Sequence, residues 1–239
     1  MCGLLGSVAL VACSTRATTT ANYANASTNL PRPTVVVVQD FTADPSLVRL
    51  DTGIGGRVRR AMGGTDDGAK QAEDVEDVRH GITETLSKQI TDMGLPVEAN
   101  PTAAVTEPYV VVRGALRAVN EGNQTRRTVV GFGAGQSEVA ATAEVLYLAP
   151  GAVPVVLQTY DVSSNSGHTP GMAIGAASAA AGHVGAAAAN GGMHVANGGR
   201  AGVGSEAQRL AEHLSVNIGQ LFAHEHWIPQ SAVPSASLR

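Results

Sequence analysis

Val139-Ala140-Ala141-Thr142-Ala143-Glu144-Val145-Leu146-Tyr147-Leu148 has the period of an extended chain. Successive side chains of a strand point to opposite faces, so Val139, Ala141, Ala143, Val145 and Tyr147 share one face while Thr142 and Glu144 look the other way. Pro150-Gly151-Ala152 is a short turn, and Val153 to Val162 reads as the next strand, so the two form an antiparallel hairpin. Two further strands are predicted upstream, Tyr109 to Val119 and Arg127 to Phe132. Earlier still, Thr34-Val35-Val36-Val37-Val38 is an unbroken β-branched run, the pattern of a strand buried on both faces.

Helices bracket this block. From Glu73 to Met93 the residues Val75, Val78, Ile82, Leu86, Ile90 and Met93 recur at intervals of three and four, which makes one apolar stripe. Glu73, Asp74, Glu76 and Asp77 crowd its expected first turns, where the helix dipole favours negative charge, and Gly94 and Pro96 stop it. A last helix is expected over Ser205 to Ala223, with Ser205 as N-cap and Leu210, Leu214, Ile218, Leu221 and Phe222 on one face. Residues 44–72 read as a long irregular connection. The fold class is α/β: a mixed, mostly antiparallel sheet covered by two main helices in a two- or three-layer sandwich. A glycine- and alanine-rich insertion, residues 171–204, precedes the last helix; it reads as a loosely ordered helix and loop beside the domain, with a membrane-active or oligomer-forming element as the alternative.

Composition limits the function classes. The 239 residues are 44% hydrophobic, enough for one sizeable core. Charged residues make up 15%, the net charge is -4 and the pI is about 5.9, which argues against nucleic acid as a partner. Aromatic residues at 3% leave little material for stacking platforms.

The amino-terminal end carries an address. Leu4 to Val11 is apolar, too short to cross a bilayer as a helix but of signal-core length, and it runs into Leu10-Val11-Ala12-Cys13. That order resembles a bacterial lipoprotein signal, in which the cysteine thiol is lipidated and the chain is cut before it. Met1-Cys2-Gly3 lacks the positive charge such signals start with, as a start placed too far downstream would. Ser14 stands where proteins of this type carry an Asp for inner-membrane retention, so the resemblance implies an outer-membrane anchor facing the periplasm. With the signal removed, Cys13 is the remaining cysteine, which leaves no disulfide framework and no cysteine metal site. Residues 1–13 are thus the signal. Residues 14–32, rich in Thr, Asn and Ser, are expected to be a flexible linker of roughly 25 Å span. Residues 33–228 are the domain, and 229–239 a disordered tail.

Motifs for chemistry are weak. Gly131-Phe132-Gly133-Ala134-Gly135 leads into a strand rather than a helix N-terminus, so it reads as a glycine-rich bend and not a phosphate loop. His224 and His226 flank Glu225 at a spacing that does not bring both imidazoles to one helical face. His168, His183 and His194 lie among glycines, His213 is far from His224 along the helix, and no His-Glu-x-x-His occurs. Ser163, Ser164 and Ser166 near His168 look like a strand end, and no Gly-x-Ser-x-Gly elbow is present. The reading therefore assigns no catalytic residue, no metal, no cofactor and no small-molecule substrate.

Three segments carry a wider resemblance: Val35-Val36-Val37-Val38-Gln39-Asp40-Phe41, then Val129-Val130-Gly131-Phe132-Gly133-Ala134-Gly135-Gln136-Ser137-Glu138-Val139, then the helix ending in His226-Trp227-Ile228. Over residues 33–228 the chain resembles a family of bacterial predicted lipoproteins whose domain has no known function. It is more distantly similar to the curli-secretion-channel (CsgG-like) and TolB amino-terminal α/β domains. These resemblances imply a periplasmic domain without established catalytic residues. The expected function is non-catalytic binding or assembly in the cell envelope, with partners in the membrane through Cys13 and in envelope proteins or self-association. A self-oligomerising export or pore component is the alternative, and an envelope hydrolase the third.

Overall fold

The computed structural model describes residues 16–23, 30–51, 58, 61–62, 67–98, 106–122, 135–166 and 200–235. Among these, seven strands form one sheet: β1 (Arg16–Tyr23), β2 (Val35–Val38), β3 (Val48–Arg49), β4 (Val97–Glu98), β5 (Tyr109–Asn120), β6 (Glu138–Leu148) and β7 (Val155–Asn165). Their order is β1-β7-β6-β5-β2-β4, with β3 beside the far end of β5. Neighbours from β1 to β5 are antiparallel, whereas β2 is parallel to both β5 and β4. Chain 35–49 follows β5 along its length, through β2, a single bridge from Thr42 to Ala115, and β3.

The hairpin read from Val139 to Val162 is β6 and β7, paired from Glu138 with Asn165 to Tyr147 with Val155. Its turn uses Gly151 at φ 72, a left-handed conformation that side chains resist. The alternation holds along β6: Val139, Ala141, Ala143, Val145 and Tyr147 are buried, Thr142 and Glu144 half-buried on the other side.

Two helices, α1 (Asp67–Asp92) and α2 (Arg200–His224), lie on one face of the sheet. Val75, Val78, Ile82, Leu86 and Ile90 meet Leu210, Leu214, Ile218 and Phe222 over Val36, Val38, Val110, Val112 and Tyr160 in one core. The helices run parallel and close: a Cβ on Gly81 would stand 3.8 Å from Ala207 Cβ, and one on Gly219 only 3.2 Å from Met93 Sδ. On the sheet, Phe41 is fully buried and its ring packs against Gly114, where a Cβ would come within 2.3 Å of it.

The carboxyl end is pinned by chemistry visible in the motif His226-Trp227-Ile228. His226 adopts φ 62, its N–H donates to Ala223 O and the Trp227 N–H donates to Phe222 O. That is a Schellman cap of α2, accompanied by Trp227 packing on Phe222 at 5.5 Å between ring centroids. Trp227 also stacks on Tyr147 at 5.8 Å and donates from Nε1 to Leu30 O, while the Tyr147 hydroxyl donates to Pro31 O.

Several expectations are corrected. The segment read as linker, 14–32, contains β1: Thr18, Thr19 and Thr20 are β-branched and suit an edge strand, even without an apolar alternation. The tail read as disordered continues through a 3₁₀ turn, Gln230–Ala232, with Ala232 and Val233 against the core. Helix α1 starts at Asp67, so Glu73 to Asp77 sit past its first turn and Asp74 is buried. Helix α2 starts at Arg200, so Ser205 lies inside it and does not cap it. Cys13, the strand expected over Arg127 to Phe132, and residues 171–199 of the glycine-rich insertion lie outside the described residues.

Candidate functional site: the open face of the sheet

The second face of the sheet carries no helix among the described residues. It has two halves. Val37, Val111 and Leu146 form a small buried cluster there, with Tyr109, Leu148 and Val156 packed on it. This is why the valine run of β2 is buried on both sides: Val36 and Val38 face the helices, and Val37 faces the second cluster. A shallow apolar groove of ≈ 220 Å³ runs over Val37, Val111, Leu148 and Pro154.

The other half is polar. Residues that alternate outward from β5, β6 and β7 line a groove of ≈ 500 Å³: Arg113 and Arg117, Thr142 and Glu144, and Thr159, with Gln39, Asp40 and Thr42 closing one side. Arg113 lies directly across from Glu144 and donates to its Oε2 through Nε at 3.1 Å and Nη2 at 2.9 Å. Arg117 Nη2 lies 3.9 Å from Asp161 Oδ1. Both pairs are substantially solvent-exposed, so each stabilises the fold by only about 0.2–1 kcal/mol. Their guanidinium groups remain free to exchange a neighbouring carboxylate for an incoming one. The groove presents fork-shaped donors, carboxylate acceptors and threonine hydroxyls beside an apolar strip. Such a surface is equipped to hold a polypeptide.

A second cluster of charge is structural. Lys70 Nζ contacts Asp74 Oδ1 at 2.5 Å and Glu121 Oε1 at 3.1 Å, and Glu121 Oε2 accepts the Asp51 N–H at 2.7 Å. It ties the start of α1 to the end of β5. Burial pushes the Asp74 carboxyl above its ordinary value, against the opposing pull of Lys70, and Asp74 Oδ2 has no hydrogen-bond partner. Asp74 is fully buried and Glu121 nearly so.

The residues weighed in the sequence take structural places. Ser164 Oγ donates to buried Glu206 Oε2 at 2.6 Å, and Ser166 Oγ accepts the Ser137 N–H. Ser163 shares a hydrogen bond with Thr18 on the open face. Gly135, at φ 79, is separated from the start of β6 by Gln136 and Ser137, and Gly131 to Ala134 lie outside the described residues. His224 and His226 are exposed, and His168, His183 and His194 lie outside the described residues. Among the described residues no three His, Cys, Asp or Glu side chains group as a metal site, and no helix is long and apolar enough to cross a membrane. The open face went unread in the sequence because Arg113, Thr142 and Thr159 look, strand by strand, like ordinary solvent-facing positions.

Residues 36–183 match the profile of a domain of unknown function, DUF4410. The chain belongs to that family. The matched span contains β2 through β7 and α1, and so the whole open face apart from β1. No match was found among curated proteins.

Proposed function

We propose that this DUF4410 protein is a lipoprotein anchored through Cys13 to the periplasmic face of the outer membrane, and that its domain works without catalysis, by binding envelope proteins over the open sheet face. The observation that carries the binding half is the pairing, on one face, of a polar groove holding Arg113, Arg117 and Glu144 with an adjoining apolar strip. The address rests on Leu10-Val11-Ala12-Cys13 and on Ser14 after it. A likeness of the strand-Asp40-Phe41 opening to CsgG-like and TolB amino-terminal domains favours envelope assembly, by fold-level analogy.

The strand β1 sharpens this reading. Only Ser14 and Thr15 separate Cys13 from Arg16, and three residue steps reach at most about 10 Å. A lipid on Cys13 would therefore hold the β1 edge at the membrane surface rather than let the domain swing on a long tether.

The test places a photo-crosslinking phenylalanine derivative at Thr142, in the groove, or at exposed Glu84 on α1, in intact cells. Discrete adducts from position 142 that vanish in an Arg113→Ala/Arg117→Ala background, with none from 84, support the proposal. No adduct at 142, or the same adducts from both positions, contradicts it.

A further inference from the structure

The two edges of the sheet differ. At one end β4 is two residues long and follows Pro96, so it offers almost nothing to pair with. At the other end β1 is eight residues long, and among the described residues its outer side has no strand partner. Alternate residues of such a strand turn their N–H and C=O groups outward, and natural sheets guard them with proline, charge or a bulge. Between Ala17 and Tyr23 the strand has no proline and no charged residue, and its pairing with β7 runs without a bulge.

The sequence of this edge is symmetric. Ala17-Thr18-Thr19-Thr20-Ala21 reads identically in both directions about Thr19. Two copies paired antiparallel across a twofold axis at Thr19 set Ala17 opposite Ala21, Thr18 opposite Thr20, and Thr19 opposite Thr19. Face matches face: Thr18 and Thr20 are exposed on the open face, while Ala21 packs toward the helices. At the centre, Thr19 Oγ1 is buried and has no hydrogen-bond partner. Hydroxyls across a strand pair satisfy one another, and rotation about χ1 brings the two Thr19 groups together.

We propose that β1 is a self-association edge, through which two copies of this chain join their sheets antiparallel about Thr19 into one continuous sheet. The twofold axis stands perpendicular to the sheet, so both helix layers lie on the same side and both open faces on the other. The pairing holds whether or not Cys13 carries lipid.

The register makes the test specific. In the full chain with Cys2 and Cys13 replaced by serine, light scattering should give twice the 24.3 kDa chain mass. Directly opposed residues have Cα atoms about 4.5–5.5 Å apart, within disulfide reach, whereas a two-residue offset exceeds it. Mild oxidation should thus link Thr19→Cys to itself. Thr18→Cys alone should stay unlinked, yet couple when mixed with Thr20→Cys. Thr18→Lys/Thr20→Lys sets like charges opposite each other twice and should raise the dimer dissociation constant about tenfold or more, whereas Thr18→Lys/Thr20→Glu sets opposite charges there and should keep the dimer. These positions are exposed, and circular dichroism checks that both variants fold. A monomer at 100 µM, crosslinking of Thr18→Cys alone as efficient as the mixture, or equal dimerisation of the two charge variants overturns the proposal.

Discussion

Replacing Lys70 with methionine removes a cation that, among the described residues, bridges two buried carboxylates. Asp74 is fully buried and Glu121 nearly so, while Lys70 touches both at 2.5 and 3.1 Å. Methionine fills much of the same volume, so the packing loss is small and the electrostatic loss dominates. An uncompensated buried carboxylate costs about 3–5 kcal/mol when its partner is deleted. An independent ceiling comes from titration, because Asp74 can escape by taking up a proton. From an unfolded-state value near 4, that escape costs about 4 kcal/mol at pH 7 and about 1.5 kcal/mol at pH 5. The expected loss is thus roughly 3–4 kcal/mol at pH 7, shrinking to about 1–1.5 kcal/mol at pH 5. Urea unfolding followed by circular dichroism at the two pH values measures both. A loss below about 1 kcal/mol at pH 7, or an equal loss at both pH values, would refute the assignment of Lys70 as the counter-ion of this knot.

Other outcomes follow from the same geometry. Asp74 has its folded value raised by burial, so its stabilising contribution is present below 3.8 and is lost as the pH climbs through the raised folded value; Asp74→Asn should flatten that fall in Tm across the window. Gly114→Ala drives a methyl to within 2.3 Å of Phe41 Cε1 and 2.5 Å of the Thr142 carbonyl oxygen, and should cost about 1–3 kcal/mol in denaturant unfolding, part of it recovered by adding Phe41→Leu. His226→Gly relieves a left-handed backbone at the α2 cap, and should raise stability by about 0.5–1 kcal/mol after the loss of the His226 Nδ1 contact to His224 O.

Strong periodicity was legible in the sequence and cooperative detail was not. The β6 alternation and the stripe from Val75 to Met93 each involve many residues obeying one period, and both elements are present with nearly those residues inward. The strand β1 escaped because Ala17, Thr19 and Ala21, on its core side, are too small for an apolar pattern; it is held by register with β7. Asp74 looked like one more dipole-facing acid; the Glu121 that shares its lysine comes from a distant segment and leaves no local signal. The groove is a property of three strands at once. Arg113, Glu144 and Thr159 lie far apart in sequence, and only the register of β5 on β6 and of β6 on β7 sets them side by side. The terminal motif was visible as residues but not as a device, since a histidine in the glycine position of a Schellman cap carries no glycine signal.

The anchor is the part of the account on which the cellular role turns. Labelling cells with a clickable palmitate analogue, followed by pull-down and membrane fractionation, should show label on the wild-type chain in the outer-membrane fraction. Cys13→Ala should carry no label and leave that fraction. An unlabelled wild type, or a Cys13→Ala chain that fractionates as the wild type does, contradicts the account.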